Sequence, residues 1–156
     1  MNKKGFVILI AVLVSTLIIS LGAFIATIAL KELALSASGK ESQTAFYAAD
    51  SALECALYQD LRTQAFSATS SDPGPTTVYC DGVEHLINLQ SGDASSSDTY
   101  FDIDFFAPGR TSARSPYARV KVHKENIGTI NDKTIIEAQG YNVKDPGQPL
   151  RVERAL

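Results

Sequence analysis

The feature that most constrains this chain is a run of uncharged residues from 5 to 30, 26 in all. Lys3 and Lys4 precede the run, and Lys31 and Glu32 end it. As an α-helix with ~1.5 Å rise per residue it would be about 39 Å long, which exceeds the ~30 Å hydrocarbon core of a bilayer. A secretory signal has an apolar region of only ~7–15 residues. The run therefore predicts a membrane helix that is uncleaved or trimmed only at its N-terminus.

The charges predict how that helix is oriented. After Leu30 the chain carries 12 basic and 17 acidic residues, a net charge of −5. The two remaining basic residues are the lysines before the apolar run, and such lysines hold the N-terminus in the cytoplasm. The predicted location is a single pass through the inner or cytoplasmic membrane, with residues 31–156 exported. An acidic exported part argues against nucleic-acid binding, which calls for a basic surface.

Good helix formers follow the apolar run, and no proline interrupts the chain before Pro73. We therefore expect the helix to continue to about Leu61. The apolar residues at helical spacing, expected to form one packing stripe, are Phe46, Ala49, Leu53, Leu57 and Leu61. The polar residues expected on the opposite face are Asp50, Glu54 and Gln59.

Alternating apolar and polar residues predict β-strands in the remainder of the chain. The expected strands are 76–80, 83–89, 100–106, 117–124, 134–141 and 150–156, with loops at 68–77, 91–98 and 125–133. Asp81-Gly82 between the first two strands is a strong hairpin signal. The predicted fold class is α+β: one long N-terminal helix, its inner half transmembrane, with an antiparallel sheet packed on its outer half.

A basic leader ending in Gly5, an aromatic residue at Phe6, a long apolar helix and a later sheet together resemble a type IV prepilin or pseudopilin. The segment 44–54 resembles the signature of PilX-type minor pilins and K-type minor pseudopilins, in which two alanines and an acidic residue follow an aromatic one. The residues that carry this signature here are Phe46, Ala48, Ala49, Asp50 and Ala52. The resemblance covers roughly the first 60 residues, and beyond them only the architecture.

The resemblance implies that a prepilin peptidase cuts between Gly5 and Phe6 and methylates the new amino terminus of Phe6. The helix would hold the subunit in the membrane and then join a bundle of pilin-like helices in a filament outside the cell or in the periplasm. The implied parts are a leader at 1–5, a transmembrane and filament-core half-helix at 6–30, an amphipathic half-helix at 31–62 and an exported sheet domain at 63–156. No cofactor is implied.

The fifth residue after the implied cleavage site is Ile10, where most major pilins have a glutamate. In the family that carboxylate is thought to pair with the amine of a neighbouring subunit, and a buried amine without a partner is costly. The isoleucine therefore favours a minor, tip or initiation subunit. Two alternatives stay open: a major pilin that dispenses with the carboxylate, and an unprocessed anchored module for adhesion or ligand binding.

Cys55 and Cys80 are the chain's two cysteines, and both lie in the predicted exported part, where disulfides persist. A bridge would close a loop of about 25 residues and stabilise the fold by roughly 3 kcal/mol. It would also tie the sheet to the helix. We favour the bridge, and two separate buried thiols remain the alternative.

Other candidate sites have less support in the pattern. Asp93, Asp98, Asp102 and Asp104 could supply oxygens to Ca²⁺, but they lack the spacing of a calcium loop, which favours a solvated acidic surface. His85 and His123 are expected to be isolated strand residues, and Arg110, Arg114 and Arg119 to form ion pairs at a subunit contact. Since no nucleophile–base pair, metal-ligand spacing or phosphate loop is present, the sequence predicts a structural protein without catalytic or metal-binding residues.

Overall fold

The computed structural model describes residues 3–66, 75–93, 95–105, 115–127, 130, 132–148 and 151–156, except for the side chains of 3–5 and 89–91. Its elements are α1 Lys3–Thr63, β1 Thr77–Cys80, β2 Val83–Gly92, β3 Ser96–Asp104, β4 Tyr117–Glu125, β5 Lys133–Tyr141 and β6 Glu153–Ala155. The predicted α+β layout, one long helix and an antiparallel sheet, is confirmed. Most of the expected loop 68–77 lies outside the described residues, as does the start of the expected last strand.

The six strands pair in chain order, each antiparallel to the next. Asp81 and Gly82 join β1 to β2 with φ values of 52° and 73°, the left-handed backbone that a two-residue hairpin turn requires. The hairpin prediction is therefore confirmed. The fact that each strand pairs with its neighbour in sequence means that the sheet needs no crossover connection.

The expected loop at 91–98 is wrong, because strands occupy most of it. β2 runs to Gly92 and β3 begins at Ser96. Asp93 Oδ1 accepts hydrogen bonds from the backbone amides of Ser95 and Ser96 at 2.8 and 2.7 Å. These bonds, first of all the one from Ser95, lower the pKa of Asp93. The aspartate thereby stabilises a tight turn between β2 and β3. Polar composition alone does not indicate where such a turn begins and ends.

The chain divides into two compact units, Met1–Gly39 and Lys40–Leu156. In the first, the helix has exposed side chains at every position from residue 6 onward. By length and composition, the helical segment Phe6–Thr63 could cross a membrane.

The second unit has its own hydrophobic core between the outer part of α1 and one face of the sheet. The buried strand residues include Phe101 and Ile103 of β3 and Val120 and Val122 of β4. Asp102 lies between the first two and is exposed. The alternation predicted for these two strands is therefore confirmed, and it places their odd-numbered (β3) and even-numbered (β4) side chains in the core.

The helix packs on the sheet through alanines rather than through the predicted stripe of larger residues. The buried apolar residues of the helix are Ala45, Ala48, Ala49, Ala52 and Ala56, each at most 4% exposed. Leu57 is 49% exposed and Leu61 72%, whereas Gln59, expected on the solvent side, is buried. The prediction is wrong for these three residues and also for Phe46, which was expected in the same stripe and is 43% exposed.

The reason is the close approach of the helix to Gly140 on β5. A Cβ atom at Gly140 would overlap the backbone oxygen of Ala45 and the backbone nitrogen of Ala49, and would lie 2.9 Å from Ala49 Cβ. Only small side chains fit such a narrow gap, so leucine cannot occupy that face of the helix. The glycine and the alanines are one packing unit.

Candidate functional site

The first candidate surface for function is the apolar part of α1, which is exposed on every side. Representative exposed fractions are 68% for Phe6, 64% for Phe24 and 67% for Leu30. The hydroxyls in this part bond to carbonyls of the preceding helical turn: Ser15, Thr16, Ser20 and Thr27 donate at 2.7 to 2.9 Å. A helix that satisfies its own polar groups is suited to an apolar surrounding.

The implied cleavage junction Gly5–Phe6 lies within α1, because the helix begins at Lys3. Ile10, the residue in place of the expected glutamate, is 44% exposed. Met1 and Asn2 lie outside the described residues. Cleavage and methylation at Phe6 stay predictions, since they are chemical events that the fold does not record.

The five residues of the pilin-like signature separate onto two sides of the helix. Ala48, Ala49 and Ala52 are buried at the sheet. Phe46 is 43% exposed and Asp50 is half-buried. The alanines of the signature therefore have a structural explanation in this chain, the close helix–sheet contact, whereas the aromatic residue belongs to the outer side.

That outer side of the helix carries an exposed apolar and aromatic surface, which we call the outer helix face. Its members are Phe46, Tyr47, Leu57, Tyr58 and Leu61, between 43% and 72% exposed. The rings of Phe46 and Tyr47 meet edge to face at 5.9 Å. Exposed apolar residues concentrated on one helix face are typical of a contact surface for another protein or a membrane. The sequence analysis assigned Leu57 and Leu61 to the packing stripe, so it did not identify this exposed face.

A disulfide joins Cys55 of α1 to Cys80 of β1, with the Cα atoms 5.9 Å apart. The bridge expected from the sequence is thus present, and the alternative of separate thiols is excluded. Next to it, Gln59 Nε2 donates a hydrogen bond of 2.7 Å to the backbone oxygen of Tyr79. The bridge and the amide together tie the first strand to the helix, which accounts for the burial of Gln59.

A buried ion pair, which the sequence analysis did not identify, lies between the last turn of the helix and the sheet. Lys124 Nζ is 2.7 Å from Asp60 Oδ1, and both side chains are less than 10% exposed. Thr134 on β5 donates a hydrogen bond of 2.9 Å to Asp60 Oδ2. The available signal was the strand pattern, because Lys124 continues the inward-facing positions of Val120 and Val122 and an inward lysine needs a partner.

Polar contacts also fasten residues 41 and 42 of the helix. Asn142 Nδ2 donates to Glu41 Oε2 at 2.7 Å, and Asn142 Oδ1 accepts from the backbone amide of Val152 at 2.7 Å. Arg154 Nε donates to Ser42 Oγ at 2.9 Å. The helix within the second unit is therefore held by polar contacts near both ends and by alanines between them.

The acidic residues weighed as calcium ligands have separate partners. Asp102 pairs with Arg119 at 2.9 Å, Asp104 with Lys144 at 2.7 Å and Asp98 with His123 at 2.6 Å. Among the described residues no group of three His, Cys, Asp or Glu is placed to hold a metal ion.

The hydrogen bond to Asp102 raises the pKa of Arg119. Arg110 and Arg114 lie outside the described residues, so an arginine cluster is not tested.

His123 is not isolated, contrary to expectation, because both of its ring nitrogens contact carboxylates. Asp98 lies at Nδ1 and Glu125 at Nε2, the latter 3.2 Å away. His85 is different: its Nε2 is buried and has no hydrogen-bond partner among the described residues. The two histidines therefore differ in their contacts: carboxylates lie at both ring nitrogens of His123, whereas no described group forms a hydrogen bond with Nε2 of His85.

The described surfaces thus comprise an exposed apolar helix, an aromatic outer helix face and a sheet with paired charges. Comparisons of the chain with protein-family models, with curated proteins and with solved structures found no match.

Proposed function

We propose that this protein is a membrane-inserted structural subunit of a type IV pilus or a related pseudopilus, incorporated as a minor, tip or initiation subunit. The observation that carries the proposal is the exposed apolar helix of the first unit, in a chain whose second unit has a complete core of its own. A core that does not need this helix leaves it free to bury its surface in lipid or among other helices.

The cost of leaving that helix in water supports membrane insertion. Apolar surface exposed to water costs roughly 25 cal/mol per Å², and most side chains from Phe6 to Leu30 are apolar. The serine and threonine hydroxyls in this stretch already bond to the helix backbone, so little polar desolvation opposes the transfer.

The orientation follows from charge and from the disulfide. Lys3 and Lys4 precede the apolar run and favour a cytoplasmic N-terminus. The second unit contains the Cys55–Cys80 bridge, and such bridges persist in oxidising compartments outside the cytoplasm. Both features support export of the sheet and an N-terminus that a membrane-embedded peptidase could reach from the cytoplasmic side.

Assembly would move the helix from lipid into a bundle of similar helices after cleavage between Gly5 and Phe6. A helix that is apolar all round loses little in this exchange, because lipid tails and apolar side chains are comparable surroundings. The outer helix face adds an aromatic surface in the exported half. Ile10 in place of a carboxylate supports a minor position, because the amine of a neighbour would lack its partner.

The direct test is the intact mass of the membrane-extracted protein, produced with and without its prepilin peptidase. We expect the loss of Met1 to Gly5 and the gain of one methyl group only when the peptidase is present. Gly5→Leu should block the cleavage, whereas Gly22→Leu, a matched change at a glycine with no neighbour within 4 Å, should leave it intact. An unchanged N-terminus in the parent chain would refute processing and point to an unprocessed anchored module.

A further inference from the structure

His123 occupies the middle of a cross-strand charge arrangement on the sheet face that does not contact the helix. It lies on β4 directly opposite Asp98 on β3, and Glu125 follows two residues later on the same side of its own strand. Nδ1 is 2.6 Å from Asp98 Oδ1 and Nε2 is 3.2 Å from Glu125 Oε1. One imidazole ring therefore bridges two carboxylates that belong to different strands.

The chemistry of the ring decides its protonation. A neutral imidazole has one N–H donor and one acceptor nitrogen, so it can donate to only one of the two carboxylates and turns a lone pair toward the other. The imidazolium has two N–H donors and satisfies both. In agreement with this geometry, the hydrogen bond to Asp98, followed by that to Glu125, raises the pKa of His123 above its ordinary value.

The charged groups around the ring are of both signs. On β5, Glu137 lines a depression of about 280 Å³ together with Asp98, Lys121, His123 and Ile135. Lys133, also on β5, lies 3.8 Å from Glu125.

In the connection between β2 and β3, Asp93 lines a second depression beside the ring, of about 270 Å³. Four carboxylates (Asp93, Asp98, Glu125 and Glu137) thus face two lysines (Lys121 and Lys133), and this excess of negative charge favours a protonated ring.

We propose that Asp98, His123 and Glu125 form a proton-held clip between β3 and β4, in which the imidazolium binds both carboxylates and the neutral ring releases one of them. The clip fastens the start of β3, next to the tight turn capped by Asp93, to the end of β4. When the imidazolium loses its proton, Lys121 and Lys133 are the two cations that remain beside the four carboxylates. The exported unit thereby responds to the pH outside the cytoplasm.

The sign of the effect follows from linkage. A histidine whose pKa is raised by folding binds its proton more tightly in the folded state than in the unfolded state. Its contribution to stability is fully present below the ordinary histidine value of about 6.5, and it is lost as the pH rises through the raised folded value. We therefore expect the stability of the sheet to decrease from near neutral to mildly alkaline pH.

The test uses the full chain in detergent micelles. The first measurement is the imidazole titration of both histidines by NMR, and the second is the thermal unfolding midpoint as a function of pH. We expect His123 to titrate above 6.5, Asp98→Asn to move this titration back toward 6.5, and Glu125→Gln to move it less, because its contact is longer. His123→Gln should remove the fall in midpoint with rising pH, and His85→Gln, the matched control, should retain it.

The proposal would be overturned by a His123 titration at or below 6.5 in the parent chain, or by a pH dependence of unfolding that His85→Gln removes and His123→Gln does not. Equal shifts for Asp98→Asn and for Asp81→Asn, an aspartate in the distant hairpin turn, would also overturn it, because general charge would then explain the effect. The titration in the parent chain decides the question even if a variant fails to fold.

Discussion

One helix in this chain has two parts whose side chains follow different patterns. From Phe6 to Leu30 it presents large apolar side chains in every direction, all of them exposed. From Ala45 to Ala56 it presents alanines to the sheet and larger residues, Phe46 and Tyr47, to the outside. In the first part bulk is spread evenly, which is what the proposed insertion into lipid or a helix bundle would require, because neither surrounding imposes a single partner. In the second part the shape of one partner, the sheet, selects the smallest side chains.

The largest effect is expected at the buried ion pair that fastens the end of the packed part. Lys124→Met leaves Asp60 buried without its cation, and removal of one member of a buried pair costs about 3–5 kcal/mol of folding free energy. Denaturant unfolding of the sheet, followed by the near-ultraviolet signal of the tyrosines, measures this loss. Thr134, which bonds the same aspartate, is unchanged in the variant.

The control for this prediction is the double variant Asp60→Leu with Lys124→Met. Replacement of both charges by apolar groups removes the unpaired ion, so the double variant should be more stable than Lys124→Met alone. If instead the effects of Asp60→Leu and Lys124→Met, each measured alone, add in the double variant, the two charges have no coupling energy of their own.

The next effect tests the narrow gap directly. Gly140→Ala places a Cβ against backbone atoms of Ala45 and Ala49, which cannot move without lifting the helix from the sheet. We expect a loss of about 3 kcal/mol, at the upper end for overpacking. The matched control is Gly39→Ala, at a helical glycine with nothing within 4 Å, which should gain up to about 1 kcal/mol in helix propensity. If Gly140→Ala left the stability unchanged, the idea that the close helix–sheet approach admits only small helix side chains would be refuted.

The sequence predicted the strands better than the helix face, and the difference has a physical cause. In β3 and β4 one face of each strand is buried in the core, so the alternation of apolar and polar residues indicates which side chains are buried. On the helix, apolarity does not report burial: the gap at Gly140 admits only small side chains, and Leu57 and Leu61 remain exposed. Gly140 itself carried no signal, because a glycine in a strand pattern does not reveal which backbone approaches it.

The site residues divide in the same way. The bridge between Cys55 and Cys80 could be predicted because the chain offers one pairing. The Lys124–Asp60 pair could not, since its members are 64 positions apart in sequence and only the packed structure brings them together. Likewise, the contact of Asp98 with His123 depends on strand register, which residue types alone do not fix.

The disulfide offers a milder way to loosen the packed part. A Cys55→Ser and Cys80→Ser double variant loses the cross-link over 25 residues and should be less stable by roughly 3 kcal/mol, chiefly because the unfolded chain gains freedom. The remaining contact of Gln59 with Tyr79 should limit the local damage to β1. Reduction of the parent protein should reproduce the lower unfolding midpoint, and it should leave the double variant unaffected. An equal drop in both would show that the reductant acts elsewhere.

The smallest effect on folding, and the most informative one for assembly, is expected in the exposed part. Ile10→Glu changes a residue outside the core of the second unit, so the unfolding midpoint of the sheet should stay within error of the parent. A carboxylate at this position could pair with the amine of a neighbouring subunit and satisfy a buried charge. We therefore expect more of the variant in sheared filaments relative to the membrane fraction. The control is Ile10→Gln, because glutamine has the shape of glutamate without its charge, and it should show no such gain. If Ile10→Glu is assembled indistinguishably from the parent, the missing carboxylate does not determine the subunit's position, and the case for a minor or tip subunit loses its basis.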